Sequence, residues 1–334
     1  MKKLLLVFGA IALFSCQEEA PKDYVTFSGT ITNQNSDSLM VYSRSFNKTI
    51  AVNADGTFSD TLKVTPGIYR FYDGTEGSTL FLENGYDMQM TLNTEEFDES
   101  IKYTGEGSHN NNFLAEKALL EEKLFDIDVS EMDLPALDSK MSSIESELNN
   151  FIASKTDLDS LLVSDTKKGI KSNITGSKNY LANSIKLRTD LPKGAPSPVF
   201  ENYENHKGGT TSLADLKGKY VYIDVWATWC GPCKAEIPFL KEVENDYHGK
   251  NIEFVSVSID QMKDHEKWIA MVNDKELGGI QVFADSDWSS KFVTDYYISG
   301  IPRFILVDDE GNIVSPDAPR PSNPKLRELL DELI

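Results

Sequence analysis

The sequence predicts three structured parts: a small antiparallel β sandwich, a helical middle segment and a C-terminal α/β domain. Three observations predict them. Short β-branched and aromatic runs separated by turn signals fill residues 24–105, and an apolar period of helical spacing takes over within 109–188. From about residue 191 onward, strand and helix patterns alternate. The boundaries that follow are 1–15 for a leader, 16–23 for a linker, 24–105 for the sandwich, 106–190 for the helices and 191–334 for the α/β domain.

At the start of the chain, Lys2 and Lys3 precede an apolar run from Leu4 to Phe14. That length suits the core of a secretory signal peptide and is too short to span a bilayer. The sandwich region holds the runs Tyr24–Phe27, Leu39–Tyr42, Ile68–Tyr72, Thr79–Leu82 and Met88–Leu92. Asp55-Gly56 and Asn84-Gly85 mark turns between them. Its aromatic residues read as core, and no catalytic grouping stands out. In the middle segment Leu137, Met141, Ile144, Leu148 and Phe151 are spaced alternately four and three apart, as on one helix face, and two to four helices should fill it. The pattern is too short to make a coiled-coil dimer convincing. Thr189 to Pro198, with three prolines, leads into the last domain. There the pattern predicts strand 219–226, helix 231–247, strand 252–258, helix 263–273, a short strand near 280–283, helix 286–296, strands 303–307 and 312–315, and helix 323–333. Asp309-Glu310-Gly311-Asn312 forms a hairpin turn, and the order fits a central sheet covered on both faces.

The chemistry concentrates at Trp229-Cys230-Gly231-Pro232-Cys233, directly after one strand pattern and directly before a helical one. Cys230 falls at the helix start, where unpaired N–H groups favour a thiolate, the attacking species. Cys233 sits one turn further in, and Pro232 suits an early helical position. This arrangement reads as a thiol–disulfide redox centre. A zinc site needs four ligands, yet the chain has three cysteines in all, and His109, His206, His248 and His265 are scattered without ligand spacing. A purely structural bridge closing so short a loop removes little unfolded-state entropy. No metal or cofactor is implied.

The segments Gly194–Phe200, Ser212–Lys219 and the WCGPC run resemble the thioredoxin superfamily. The resemblance is nearest to its membrane-associated TlpA and ResA branch and covers about residues 192–334. It implies a thioredoxin fold at the C-terminus and a redox-active Cys230–Cys233 disulfide. It also implies a cis peptide at Ile301-Pro302, where substrate backbone pairs in an extended form; the plainer reading of Pro302 is a proline opening a strand. Trp229, Gly231, Pro232, Ile301 and Pro302 are the substrate-facing residues it implies. Two carboxylates are candidates for proton handling. Asp224 lies inside the apolar strand and matches the buried acid of thioredoxins proper, while Glu236 matches the active-site glutamate of the ResA branch, or else is a solvated helix residue. A peroxiredoxin, which shares the domain opening, expects Thr three residues before its cysteine, where Ala227 stands.

Leu13-Phe14-Ser15-Cys16 resembles a bacterial lipoprotein box, which implies lipid on Cys16. With Cys16 acylated, Cys230 and Cys233 remain as an isolated pair in an oxidising compartment. Ala51–Phe58 resembles the N-terminal domain common in Bacteroidota thioredoxin-like lipoproteins (the DUF4369 type). The expected setting is the bacterial cell envelope, facing the periplasm, with Gln17 in place of Asp favouring the outer membrane. Glu18-Glu19 reads as an acidic linker or a surface-export signal. The formal charge is −20 without a basic cluster, so nucleic acid is a poor partner.

The resulting expectation is a membrane-anchored oxidoreductase that reduces disulfides of envelope proteins, apocytochrome c among them, and is recharged by a membrane electron donor. The alternatives are a disulfide oxidase or isomerase, and a surface binding lipoprotein whose cysteine pair senses redox state.

Overall fold

The computed structural model describes residues 22–334; the leader expected over 1–15 and the lipidation residue Cys16 lie outside the described residues. The chain divides into two compact units. One runs to Ile127 and includes Ser143–Asn173; the other joins Asp128–Ser142 to Ile174–Ile334.

The first unit opens with strands β1 (Val25–Thr32), β2 (Ser38–Tyr42), β3 (Asn47–Ala51), β4 (Thr57–Leu62), β5 (Gly67–Tyr72), β6 (Gly77–Leu82) and β7 (Asp87–Asn93). A short helix α1 (Phe97–Ser100) and strand β8 (Lys102–Gly105) follow. They form two four-stranded sheets, ordered β4-β1-β7-β8 and β3-β2-β5-β6. One apolar cluster takes Phe27 and Met90 from the first sheet and Leu39 and Phe71 from the second, which is the shared core of a sandwich. All pairings are antiparallel save one: β1 and β7 run parallel, Thr26 opposite Asp87. Five strands separate β1 from β7 in the chain, so no tight turn joins them and nothing forces the antiparallel sense. Strands β3, β4 and β8 escape a sequence reading because they bury few residues; β3 buries only Ile50 fully and carries almost no alternating signal.

Three helices continue the chain: α2 (Ser108–Phe125), α3 (Leu134–Ala153) and α4 (Ser160–Asp190). The stripe Leu137, Met141, Ile144 and Leu148 is buried on α3, and Phe151 stacks on Phe113 of α2. Helix α2 is fixed to both sheets by consecutive asparagines. The Asn111 side chain accepts from the Phe81 N–H and donates to the Phe81 carbonyl, both at 2.9 Å. Asn112 does the same to Tyr103, at 2.8 Å each. Phe81 and Tyr103 lie on β6 and β8, the outer strands of the two sheets, so each amide satisfies backbone groups that an open edge leaves unpaired.

The second unit contains β9 (Tyr203–Asn205), β10 (Thr210–Thr211), β11 (Tyr220–Trp226), α5 (Gly231–Asp246), β12 (Ile252–Ser258), α6 (His265–Asp274), β13 (Ile280–Phe283), α7 (Lys291–Asp295), β14 (Arg303–Val307), β15 (Ile313–Ser315) and α8 (Lys325–Leu333). Its sheet is ordered β10-β9-β13-β12-β11-β14-β15. Strands β11, β12 and β13 are parallel neighbours, and β14 is antiparallel to β11. Residues on the two faces of β11 enter separate apolar clusters, Ile223 and Val225 in one and Tyr222 in the other. That two-sided burial explains the near-continuous apolar run of this strand. The helix expected over 286–296 is instead a 3-10 turn and the five-residue α7, because Ser290 between them takes an extended backbone, ψ 136°.

Replacing Asn111 with Ala should lower the unfolding free energy by about 2–6 kcal/mol, since two buried backbone groups lose their partners at roughly 1–3 kcal/mol each. Urea unfolding of the full chain measures this; a loss below about 0.5 kcal/mol, the range of neutral surface changes, would show that the amide clamp is not needed.

Candidate active site

Strand β11 delivers the chain to the first turn of α5, and the cysteines occupy that junction. Cys230 is the N-cap of α5, with extended backbone (φ −78°, ψ 104°), and its sulfur accepts the Cys233 N–H at 3.1 Å. An N-cap normally offers an oxygen to this N–H; here sulfur takes that place, within the positive end of the helix dipole. Cys230 and Cys233 form a disulfide, and both residues are buried. Gly231 and Pro232 are exposed at the helix start. Pro238, inside α5, has no N–H to give the Lys234 carbonyl, so the helix loses one bond just beyond the site.

A second segment closes on the sulfurs. The Ile301–Pro302 peptide is cis, and the Ile301 carbonyl oxygen lies 3.8 Å from the Cys230 sulfur. Pro302 directly precedes β14, which pairs with β11, so the register of the sheet brings residues seventy apart to one point. Trp229 is 52% exposed, and its ring lies 6.3 Å from that of Trp288. The structure thus gathers Cys230, Cys233, Gly231, Pro232, Ile301 and Trp229 around one surface.

The two candidate carboxylates take different positions. Asp224 is buried on the face of β11 that lies under α5, among strand residues alternating with Ile223 and Val225. Burial, and then the negative charges of Glu236 and Glu244, push its carboxyl up to about 8. Glu236 is also buried, which excludes the solvated reading. Its carboxylate accepts from the Ser322 N–H and the Ser322 hydroxyl, both at 2.9 Å, and lies 3.6 Å from the Arg320 guanidinium. Glu236 therefore holds the segment before α8 with both of its oxygens, while Asp224 exchanges a proton close to neutral pH.

Sequence reasoning missed a third acid. Asp260 is 1% exposed and accepts from the Thr228 N–H at 2.9 Å, the Thr228 hydroxyl at 2.7 Å and the Ser258 hydroxyl at 2.8 Å. It fixes Thr228, two residues before Cys230, to the end of β12. The signal available was a carboxylate placed directly after an apolar strand. Trp288 was missed for want of any pattern around it. Among the described residues no group of three or more His, Cys, Asp or Glu side chains is placed to hold a metal ion.

The Redoxin family profile matches residues 192–330. The thiol-disulfide oxidoreductase ResA of Bacillus thuringiensis (strain Al Hakam) is 30% identical over 129 residues, 39% of this chain and 70% of that protein. ResA of Bacillus subtilis (strain 168) is 29% identical over 127 residues, 38% of this chain and 68% of that protein. A solution structure of a Bacteroides vulgatus protein, assigned as a thiol-disulfide oxidoreductase, is 52% identical. The match covers 42% of this chain and 90% of that one, with a TM-score of 0.37.

The raised carboxyl of Asp224 makes stability depend on pH with a definite sign. As pH climbs from the ordinary carboxylate range near 3.8 towards about 8, the unfolded chain loses this proton while the folded chain keeps it. Stability therefore falls with rising pH across that window, at up to about 1.4 kcal/mol per unit. Asp224→Asn should flatten this slope and unfold at higher urea than the unaltered protein at pH 8, with the gap closing near pH 4. Equal slopes in the two proteins would mean that Asp224 ionises freely in the fold.

Proposed function

This chain belongs to the ResA-type thiol–disulfide oxidoreductases and carries a thioredoxin-like fold in its C-terminal part; on that premise we propose that it works as a reductase in the cell envelope, anchored by lipid on Cys16. The observation that carries the proposal is the Cys230 sulfur at the N-cap of α5, facing the Ile301 carbonyl beside the cis peptide.

In the reduced protein the Cys230 thiolate receives the Cys233 N–H and the helix dipole. It attacks a substrate disulfide and forms a mixed disulfide, releasing one substrate thiolate. Cys233 gives its proton to an Asp224 carboxylate and attacks the Cys230 sulfur. The Cys230–Cys233 bond forms as the bond to substrate breaks, and the second substrate sulfur leaves as thiolate. Extended substrate backbone pairs alongside Ile301 in the manner of an added strand, and Trp229 with Trp288 offers it an apolar flank. Gly231-Pro232 between the cysteines fits a reductant. The substrates are disulfide-containing envelope proteins, apocytochrome c being one class, and a membrane-held dithiol donor recharges the pair. No helix among the described residues is long and apolar enough to cross a membrane; Gln17 after Cys16 favours the outer membrane.

Cells carrying Cys233→Ser should accumulate mixed disulfides between Cys230 and envelope proteins, recovered with the membrane fraction. The double variant Cys230→Ser/Cys233→Ser should accumulate none. Absence of any mixed disulfide from the trapping variant, or its recovery away from membranes, would count against the proposal.

A further inference from the structure

Behind the disulfide, β11, β12 and β13 carry a row of polar side chains in direct register: Asp224 opposite Ser256, and Ser256 opposite Gln281. Asp224 and Gln281 each interrupt an otherwise apolar strand. Helix α5 lies over this row. Its stripe Cys233, Ile237, Leu240 and Glu244 repeats at helical spacing, so the same face that presents Cys233 presents Glu244 three turns later.

Between helix and sheet is a cavity of about 10 Å³, lined among others by Asp224, Glu244, Ser256, Gln281 and Trp226. That is about the space one water molecule requires. Two of these side chains hold buried polar atoms with no partner in the protein: Oε1 of Gln281 and Nε1 of Trp226. The residues are 4% and 2% exposed, and the Gln281 amide is fixed by donating from Nε2 to the Gly278 carbonyl at 2.8 Å. A water in a cavity of this size is what satisfies unpartnered polar atoms on the residues that line it.

Glu244 has a second exposure. It also lines an open cleft of about 770 Å³, with Lys241, His248 and Lys250 among its neighbours there. Its carboxylate lies against Gly278 and Gly279: a Cβ at 278 would stand 2.1 Å from Oε2, and one at 279 would stand 3.1 Å from Oε1. The glycines make room for a carboxylate that reaches both the internal cavity and the surface.

We propose that Glu244 is the proton exit of the redox site: a water in this cavity carries the proton taken by Asp224 to the Glu244 carboxylate, which releases it to solvent through the cleft. The proposal rests on the reading of Asp224 as the acceptor of the Cys233 proton. No electrons move in this relay; it returns Asp224 to its carboxylate form for the next turnover, while electrons pass from dithiol to substrate disulfide as above. Glu244 is itself suited to the role, because burial pushes its carboxyl up to about 7 against the opposing pull of Lys241 and Lys207, within reach of both donor and solvent at neutral pH. The other groups bearing on the pair are Glu236 on the same helix and Tyr222 on the same face of β11, with Arg320 beyond Glu236.

The test follows two steps separately. Reduced full-length protein is mixed with the aromatic disulfide 5,5′-dithiobis(2-nitrobenzoate). Attack by Cys230 releases a first coloured thiolate, and attack by Cys233 on the mixed disulfide releases the second. Glu244→Gln should slow the second release by roughly a hundredfold at neutral pH, the lower end of the range of acid–base contributions. It should also remove an ionisation near neutrality from the pH profile of that step, and Glu244→Asp should restore part of the rate. Gly278→Ala, which crowds the carboxylate without removing it, should slow the same step. If Asp224→Asn slows the second release and Glu244→Gln leaves its rate and pH profile unchanged, the relay is wrong and the role of Asp224 stands. If Asp224→Asn changes nothing either, the reading of Asp224 fails and the relay with it.

Discussion

The redox site depends on one constraint: the Cys230 sulfur must stand at the first turn of α5 beside the cis peptide at Ile301-Pro302. Three contacts impose it from different directions. The Cys233 N–H binds the sulfur from the helix. Asp260 grips Thr228 and so fixes the chain on the strand side. The Ile301 carbonyl approaches from the segment opposite. The last two come from the ends of β12 and β14, so the arrangement exists only when β11, β12 and β14 are paired in register.

The acids behind the site are set apart by their surroundings, although all are buried carboxylates. Glu236 finds two donors and a nearby guanidinium. Asp260 finds three donors. Asp224 lies among apolar strand residues and two other acids, which raise its carboxyl to about 8. Two of these acids are held as fasteners by their donors, while burial and neighbouring acids raise the carboxyl of the third. A buried acid weakens the fold above its unfolded titration range; such local conflict with stability is what functional positions tend to show.

Much of this could be read from residues alone, for physical reasons that differ by element. The strand and helix flanking WCGPC announce themselves because a doubly buried strand must be apolar throughout and an amphipathic helix must repeat its stripe. The proline at 302 and the acid at 224 stand out against such patterns. The two-residue strand β10 and the polar edge strands β3 and β8 bury too little to leave a pattern. The parallel pairing of β1 with β7 depends on neighbours distant in sequence, which no local period records. Trp288 and Glu244 were invisible for the same reason: each matters through a partner on another element. Glu236 shows the converse, since its position suggested proton transfer and only its contacts with Ser322 reveal a fastening role.

The central claim is that this pair of cysteines gives electrons to substrates. The most direct measurement is the reduction potential of the Cys230/Cys233 couple in the full chain, found by equilibrating it with dithiol buffers. The account predicts about −250 mV or lower, in the range of reductants such as thioredoxin. A value near about −120 mV, that of a strong oxidant, would contradict it and assign the protein to disulfide formation instead.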